Sequence, residues 1–313
     1  MRIAIFGAGA IGGYFGARLI QAGKEVVLIA RGEHLKALKK HGLRIDSIKG
    51  NFNLPSVEAT DDPSQVSLVD VVFVCVKTWQ LPETVHSMRP LIGPKTIVVP
   101  LLNGVESPFQ LAEALGAGHV LGGLAKIISL ISGPGHIRHV GAEPYIAFGE
   151  LNNDRSERAE QLLKVLEEAG ISAEIPQDIN SALWAKFLFV VSLGGVGAIS
   201  RAPIGVIREL PKTRRMLEQA MNEIFLVAQA RNIALPQDII TDTMAFVDTL
   251  PAEGTASMQR DIVEGRPSEI DSWNGAVVRL GQESGVAVPL HTFIYNSLLP
   301  LELKAQGTLT FPV

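Results

Sequence analysis

Residues 1–31 read MRIAIFGAGAIGGYFGARLIQAGKEVVLIAR, and this stretch decides the fold. An apolar strand from Arg2 to Phe6 leads into a glycine-rich turn and then a helix, and a second apolar strand covers Glu25 to Ala30. The glycines of the turn have the spacing GxGxxG. This order of strand, turn, helix and strand is typical of a parallel sheet that binds a dinucleotide.

Each residue of the turn has a predicted role at the dinucleotide. Gly7 permits the tight turn after the strand, Gly9 lets the backbone approach a pyrophosphate, and Gly12 lets the helix pack closely on the sheet. The pyrophosphate is expected at the helix N-terminus, beside Ala10 and Ile11, because backbone N–H groups point outward there.

The residue that follows the second strand selects the dinucleotide. Proteins that bind NAD usually place Asp or Glu there to accept a hydrogen bond from the ribose 2′-OH, whereas a guanidinium pairs with a 2′-phosphate. Arg31 occupies this position and therefore predicts NADP(H). The alternative is that Arg31 is only a solvated surface charge.

Composition limits the class of protein and its partners. The chain has 313 residues, 47% of them hydrophobic and 19% charged, which fits two globular domains. A net charge of −4 gives no general attraction to nucleic acid or to an anionic membrane, so a small-molecule partner is expected. The single cysteine, Cys75, allows no intrachain disulfide, and we expect a cytoplasmic protein without a signal peptide before Arg2.

Two further segments are interpreted as structural. The apolar run Phe187 to Ile199 contains three glycines and is shorter than the roughly 18 residues typical of a membrane span, so it is predicted to be a buried helix. The close histidine pair His136 and His139 lacks further ligands nearby, and no metal site is predicted.

The first half of the chain alternates strands with helices. In the first helix the small residues Ala17 and Ala22 are expected to face the sheet. Two later strands are apolar on both faces, which indicates parallel strands covered on both sides. The predicted strands after the first two are Val69 to Lys77, Thr96 to Leu102, His119 to Ile128, Tyr145 to Phe148 (after glycine-rich turns) and Ser172 to Ile175. A helix with apolar residues around Leu162 precedes the last strand, and Gly170 is placed to cap it.

From Ile179 onward the pattern is helical and is interrupted mainly by prolines, with Asp178 as a candidate N-cap. The sequence therefore predicts an α/β domain over residues 1–177, with a Rossmann-type doubly wound sheet, and an all-helical domain over 178–313. A cleft beside a nucleotide domain is a usual place for a substrate.

Reduction of a ketone in such a cleft requires a proton donor, because negative charge develops on the carbonyl oxygen as hydride arrives. Lys186 lies in an apolar helix, where a lysine either extends to solvent or faces a cleft. Lys77 and Asn103 each follow a predicted strand, at the sheet edge where α/β proteins bind ligands. Their alternatives are an ordinary charge at a strand end and a turn residue.

The last candidates lie in the helical half. Ser257 or Thr255 could simply cap a helix that begins near them. Glu269 and Asp271 are both candidate partners for a lysine, and the residues alone do not separate them. Both carboxylates also suit the positive end of a helix dipole.

The order and spacing of these motifs resemble the ketopantoate reductase (2-dehydropantoate 2-reductase) family over almost the whole chain. The motifs that carry the resemblance are Gly7-Ala-Gly-Ala-Ile-Gly12, Ala30-Arg31-Gly32, Val76-Lys77, Leu102-Asn103-Gly104, Trp184-Ala-Lys186, Ser257-Met-Gln-Arg-Asp261 and Glu269-Ile-Asp271. The resemblance implies NADPH-dependent reduction of 2-dehydropantoate (ketopantoate) to (R)-pantoate on the route to pantothenate and coenzyme A. It also implies a C-terminal domain like that of 6-phosphogluconate dehydrogenase, and it places Arg31 at the 2′-phosphate.

The resemblance also assigns roles to the other candidates. Lys186 matches the general acid of the family, and Glu269 matches its essential glutamate, which supports the lysine and the cofactor. Ser257 matches a hydroxyl that binds the substrate. Asn103 and Lys77 match residues beside the nicotinamide and the substrate.

The chain departs from the family at two positions on the helix of the general acid. Family members usually carry asparagines four and eight residues after the lysine, where this chain has Val190 and Gly194. A buried substrate hydroxyl without a partner costs about 1–3 kcal/mol, so recognition of a hydroxylated 2-oxo acid is expected to be weaker. Ser192 replaces an amide only if the helix is distorted near Gly194.

Three functions follow. The first is reduction of ketopantoate, the second is reduction of another branched or more apolar 2-oxo acid, and the third is NADPH sensing without catalysis. Lys186 and Glu269 argue against the third, since a sensor needs no proton donor at the nicotinamide. The long apolar helices bury either one another or the helices of a second subunit, and a homodimer is the expected assembly.

Overall fold

The computed structural model describes residues 1–141 and 143–311, which form two compact units. The sheet unit comprises residues 1–102 and 107–179, and the helical unit comprises residues 103–106 and 180 onward. The sequence-based division between residues 177 and 178 stays a prediction.

The sheet unit carries the strands and the first five helices. Its strands are β1 Arg2–Phe6, β2 Glu25–Ile29, β3 Leu43–Ser47, β4 Phe52–Leu54, β5 Glu58–Thr60, β6 Val69–Val74, β7 Ile92–Pro100, β8 Leu121–Lys126, β9 Ser129–Gly133, β10 His136–His139, β11 Tyr145–Glu150 and β12 Ser172–Glu174. Its helices are α1 Ala10–Gln21, α2 Gly32–His41, α3 Leu81–Met88, α4 Ser107–Leu115 and α5 Glu157–Glu168.

The central sheet has the strand order β5-β2-β1-β6-β7, and every pair in it is parallel. Alternate residues of a strand point to opposite faces of a sheet. Ile3 and Ile5 of β1 belong to one buried cluster, and Ala4 and Phe6 belong to another. Both faces are therefore covered by apolar residues, as the sequence predicts.

The strand order places β2 and β6 on opposite sides of β1. The chain therefore leaves β1 at the point where the direction of winding reverses. Ligands of doubly wound sheets bind outside the carboxyl ends of the strands at this point. The Rossmann-type fold predicted from the glycine turn is confirmed.

The sheet unit also contains two small sheets; the sequence predicts the strands of the three-stranded one but not its separation from the central sheet, and it predicts no strand of the four-stranded one. One has the order β4-β3-β10-β9 and the other β12-β11-β8. The hairpin of β9 and β10 lies where the sequence predicts only glycine-rich turns. β9 is mostly exposed, so it lacks the apolar alternation that identifies a half-buried strand. The prediction for Ala22 is also wrong: α1 ends at Gln21, and Ala22 is its exposed C-cap, whereas Ala17 is buried.

Helices form the described part of the chain after β12. They are α6 Ile179–Ser200, α7 Ile204–Glu209, α8 Pro211–Ala230, α9 Ile239–Thr249, α10 Ser257–Val263, a π-helical turn Asp271–Gly275, α11 Ala276–Ser284 and α12 Pro289–Ala305. Pro211 and Pro289 begin helices, where the missing N–H is not needed. Pro300, however, lies inside α12.

Helix α6 is the one described helix that is long and apolar enough to cross a membrane by length and composition. Its mean hydropathy is 1.8, but 67% of the apolar window is buried inside the protein. Packing within the protein accounts for this composition, which supports the sequence-based prediction of a buried helix.

Candidate active site

The glycine turn joins three strands at the carboxyl edge of the central sheet. The N–H groups of Gly7 and Ala8 both donate to the carbonyl oxygen of Ile29, at 3.1 and 2.9 Å. Gly7 has φ +98°, and a Cβ there would lie 2.9 Å from the carbonyl carbon of Cys75. Both the backbone angle and the space at this position require glycine.

Gly12 lies where α1 packs closely on the central sheet. A Cβ at Gly12 would lie 2.7 Å from Cγ2 of Ile5 and 2.9 Å from Cβ of Cys75. Burial raises the pKa of the Cys75 thiol, so the thiol is protonated and contributes packing rather than charge.

Gly9 is the N-cap of α1 and leaves the N-terminus of that helix accessible. No side chain in the described part of the chain caps the helix, and Ala10 and Ile11 are half-exposed. The nearest atom to a Cβ at Gly9 would be Cδ1 of Ile131, at 3.9 Å. Uncapped N–H groups beside an open glycine fit a pyrophosphate, because the positive end of the helix dipole favours an anion there.

Arg31 lies at the same edge, two residues beyond β2. Its guanidinium is exposed, and Nη1 donates to Oε1 of Glu83 at 3.1 Å. Glu83 lies in the first turn of α3. Sequence reasoning missed Glu83, because 52 residues separate it from Arg31.

Lys77 follows β6, on the other side of β1 from Arg31. It is half-buried and begins the short 3₁₀ turn Thr78–Gln80. The side-chain oxygen of Gln80 accepts a hydrogen bond from the backbone N–H of Lys77 at 3.1 Å. This bond fixes the backbone from which the lysine side chain extends.

Lys186 lies on α6 in the helical unit. It is half-buried, and its neighbours Trp184 and Phe187 are buried, with their rings in edge-to-face contact at 5.7 Å. The side chain of Lys186 therefore extends from a packed stretch of the helix rather than from an exposed end.

The two candidate carboxylates, Glu269 and Asp271, have different surroundings. Asp271 is 65% exposed and accepts hydrogen bonds from Arg279 at 3.1 Å and from the hydroxyl of Tyr295 at 2.9 Å. Partial burial and the bond to Asp271 raise the pKa of Tyr295. Glu269 is only 5% exposed. Glu269 is thus the buried carboxylate, and Asp271 is engaged at the surface.

A buried acid anchors the chain immediately before Glu269. Glu302 of α12 is 3% exposed and accepts a hydrogen bond from the backbone N–H of Ser268 at 2.9 Å and another from its hydroxyl. After Glu269, the backbone N–H of Trp273 donates to the backbone carbonyl oxygen of Glu269 at 3.0 Å. Hydrogen bonds therefore hold the backbone on both sides of Glu269. Nothing local in the sequence indicates that Glu302 binds Ser268.

The segment of Asn103 packs beside the segment of Glu269. A Cβ at Gly104 would lie 3.5 Å from the carbonyl oxygen of Ser272, and Glu106 pairs with Arg279 at 2.9 Å. These contacts connect residues 103–106 to the helical unit and bring Asn103 near the π-helical turn.

Ser257 is the first residue of α10 and not its N-cap. The N-cap is Ala256, which makes no side-chain capping bond. The hydroxyl of Thr255 accepts a hydrogen bond from Arg260 at 3.1 Å. The interpretation of Ser257 or Thr255 as a helix cap is therefore wrong.

A tryptophan fills the space beside Gly194 of α6. A Cβ at Gly194 would lie 2.7 Å from Cζ3 of Trp273 and 3.4 Å from Cε of Met258. Trp273 is 1% exposed, and within residues 1–141 and 143–311 its indole N–H has no hydrogen-bond partner. Since α6 is helical without interruption, the distortion that Ser192 would need to replace an amide is not observed.

The histidine pair has ordinary polar partners. Nε2 of His136 lies 2.8 Å from a carboxylate oxygen of Asp46, and Nδ1 of His139 lies 2.8 Å from the hydroxyl of Ser47. Across the described residues, no cluster of three or more histidine, cysteine or acidic side chains could hold a metal ion.

The predicted residues divide between the two units. The residues predicted to bind the pyrophosphate and the 2′-phosphate, with Lys77, lie at the carboxyl edge of the central sheet. The other candidates, Asn103, Lys186, Ser257 and Glu269, belong to the helical unit. Their individual roles stay predictions.

Comparison with family models identifies the chain. The model described as "Ketopantoate reductase PanE/ApbA" matches residues 3–153, and its C-terminal counterpart matches residues 178–302. The chain belongs to the ketopantoate reductase family. This confirms the resemblance inferred from the motifs.

Relatives of this ketopantoate reductase family protein span almost its whole length. The uncharacterized oxidoreductase YkpB of Bacillus subtilis is 30% identical, with 97% of this chain and 100% of the relative covered. The crystal structure of 2-dehydropantoate 2-reductase from Geobacter metallireducens has a TM-score of 0.90 at 30% identity, covering 97% and 100% of the two chains.

One similar structure has a different named activity. D-mandelate dehydrogenase, solved with NADH and anilino(oxo)acetate, has a TM-score of 0.89 at 26% identity, covering 98% of this chain and 100% of that one. The family therefore comprises NAD(P)-dependent oxidoreductases, and a small keto acid is consistent with it as the substrate class.

Proposed function

We propose that this protein reduces a 2-oxo acid to a 2-hydroxy acid with NADPH, and that ketopantoate, reduced to (R)-pantoate, is the leading substrate. The observation that carries the proposal is the burial of Glu269. A buried carboxylate is costly unless a cation or hydrogen-bond donors compensate it. We infer that the Glu269 carboxylate is buried because it holds the Lys186 ammonium in position at the nicotinamide. Asp271, in contrast, pairs with Arg279 at the surface.

The predicted cofactor site consists of residues from the glycine turn and the adjoining strand ends. Gly7, Gly9, Ala10, Ile11 and Gly12 would hold the pyrophosphate, Arg31 the 2′-phosphate, and Lys77, Asn103 and Glu269 the nicotinamide half. The open N-terminus of α1 supports this assignment, since it offers uncapped N–H groups to an anion.

The chemistry requires a hydride and a proton. NADPH supplies the hydride to the carbonyl carbon when it is bound. Lys186 donates the proton to the carbonyl oxygen, where negative charge develops. Glu269 holds the ammonium in position, and Ser257 and Asn103 donate hydrogen bonds to the substrate.

A second candidate is reduction of a branched or aromatic 2-oxo acid without a hydroxyl group. Val190 is apolar, and Trp273 occupies the space that a side chain at position 194 would need. Neither position 190 nor position 194 therefore offers an amide that could bind a substrate hydroxyl. The similarity to D-mandelate dehydrogenase, solved with an aryl-substituted oxoacetate, supports this candidate.

The test is the initial rate of NADPH oxidation with a panel of 2-oxo acids, including ketopantoate, a branched aliphatic acid and a phenyl-substituted acid, with NADH as the control coenzyme. Fast and saturable turnover of ketopantoate supports the leading substrate. Faster turnover of an apolar acid supports the second candidate. Binding of NADPH without turnover of any acid would favour the sensor and contradict both.

The cellular setting completes the proposal. We place the protein in the cytoplasm, on the route to pantothenate and coenzyme A, and expect a homodimer. The proposed partner is a small molecule rather than nucleic acid or a membrane.

A further inference from the structure

The ion pair between Arg31 and Glu83 crosses the end of β1. Arg31 follows β2, and Glu83 lies on α3, which follows β6. Because β2 and β6 flank β1 on opposite sides, a contact between the two residues passes over the carboxyl end of β1. The glycine turn begins at that end. The pair therefore lies where the adenosine half of a dinucleotide meets the sheet.

Both partners are accessible to an incoming ligand. The side chains of Arg31 and Glu83 are 56% and 64% exposed, and they meet through Nη1 and Oε1 at 3.1 Å. Exposed ion pairs of this kind contribute little to stability. A ligand phosphate can therefore replace the carboxylate at Arg31 at low cost to the fold.

The carboxylate of Glu83 affects the two coenzymes differently. The 2′-phosphate of NADPH is an anion that needs the Arg31 guanidinium, so it must compete with Glu83 and is repelled by it. The 2′-hydroxyl of NADH is neutral and can donate a hydrogen bond to a carboxylate. Glu83 therefore weakens the binding of NADPH and leaves the binding of NADH unimpaired.

We propose that Glu83 sets the coenzyme preference of this protein by competing with the 2′-phosphate for Arg31. Arg31 favours NADPH, and Glu83 reduces that preference, so the wild-type protein uses both coenzymes to a measurable extent. The inference rests on the proposed function, since it requires Arg31 to bind the 2′-phosphate.

The test measures coenzyme binding without any 2-oxo acid. Dissociation constants for NADPH and NADH are determined by isothermal titration calorimetry for the wild type, Glu83→Gln, Arg31→Ala and the double variant. The probes 2′,5′-ADP and 5′-AMP report on the 2′-phosphate without the nicotinamide. Glu160→Gln is the matched control, because Glu160 is also an exposed partner of an arginine, Arg155, at 2.7 Å.

We expect Glu83→Gln to tighten NADPH and 2′,5′-ADP by about threefold to tenfold at low salt, since it removes one repulsive charge and one competitor. NADH and 5′-AMP should bind equally well or slightly more weakly. The gain should shrink as salt is added, and it should be smaller when Arg31 is alanine, because only the repulsion between Glu83 and the 2′-phosphate then remains to be removed. The Glu160→Gln control should change neither coenzyme.

An unchanged ratio of NADPH to NADH affinity in Glu83→Gln would overturn the inference, as would a gain of full size in the Arg31→Ala background. Failure of the proposed cofactor site would give a different set of results. If Arg31→Ala itself leaves the ratio unchanged, Arg31 does not bind the 2′-phosphate, and the NADPH assignment fails with it. If Arg31→Ala weakens NADPH while Glu83→Gln has no effect, only the role of Glu83 is lost.

Discussion

Lys186 is the residue whose replacement separates an enzyme from a protein that only binds NADPH. Lys186→Ala is expected to lower kcat by about 10²–10⁴-fold, the range typical of a general acid. The affinity for NADPH should change by only about twofold, because the proton is needed in the transition state and not for coenzyme binding. Steady-state kinetics and coenzyme titration measure the two effects.

The control for this variant is Lys164→Ala, which removes an exposed lysine from α5. It should leave both kcat and coenzyme affinity unchanged. Wild-type turnover in Lys186→Ala would contradict the assignment of the general acid.

At Gly194, the space for a side chain is limited by Trp273. Gly194→Ala is expected to lower the free energy of unfolding by about 1–3 kcal/mol, because the new methyl group overpacks the contact with Trp273. Alanine favours a helix over glycine by about 1 kcal/mol, so a net loss would show that the clash outweighs helix propensity. Urea unfolding measures the difference.

Trp273→Leu in combination with Gly194→Ala provides the compensating variant. If the clash is the cause, the double variant loses less than the sum of the two single losses. An equal or more stable Gly194→Ala protein would mean that Trp273 moves without cost. Position 194 could then accept the asparagine typical of the family.

At the scale of elements, a double hydrogen bond ties β11 to α5. The guanidinium of Arg158 donates to both carboxylate oxygens of Glu150, at 2.7 and 2.6 Å. These bonds are the main cause that lowers the pKa of Glu150. A lowered pKa in the folded state means that the bonds stabilise the protein above the unfolded pKa and lose this effect as the pH falls through the folded value.

Glu150→Gln should therefore be less stable than the wild type by about 1 kcal/mol at pH 7, since the substitution removes the negative charge and one of the two oxygens that accept hydrogen bonds from Arg158. The difference should begin to shrink as the pH falls to about 4, the ordinary pKa of a glutamate. It should vanish once the pH is below the lowered pKa of Glu150 in the folded protein. Unfolding curves between pH 7 and pH 3 measure it. A difference that does not depend on pH would contradict the role of the charge.

Helices and buried strands were predicted better than exposed strands. The helix around Leu162 is α5, in which Ala159, Leu162 and Leu166 are buried, and Gly170 follows it with φ +64°. In contrast, β9 has no continuous buried face and was not predicted. Periodicity identifies an element only where one face of that element is buried.

At the scale of the whole molecule, coenzyme binding should stabilise the fold. The predicted dinucleotide site lies in the sheet unit, and a ligand that binds only the folded state adds about 2.7 kcal/mol at a concentration 100 times its dissociation constant. Thermal unfolding with and without NADPH measures this. The control is Arg31→Ala at the same NADPH concentration, which should gain less, and no shift in the wild type would contradict the site.

The sequence by itself determined the Rossmann-type sheet, the change to helices near Ile179 and the family. These features are visible as local patterns: the glycine turn, the strands that are apolar on both faces and the helices separated by prolines. Such patterns arise because backbone preferences and burial restrict which residue types each element can contain. The chemical identities of Arg31, Lys186 and Glu269 were also readable, because a charge in an apolar or diagnostic position is visible without coordinates.

Only the tertiary structure decided which partners these residues meet. It paired Arg31 with Glu83, set Trp273 against Gly194, anchored Ser268 to Glu302 and assigned Asp271 to the surface. Each contact joins residues from elements that are distant in sequence or oriented by the packing around them. No local pattern encodes such contacts, since they arise only when strand order and helix packing bring the elements together.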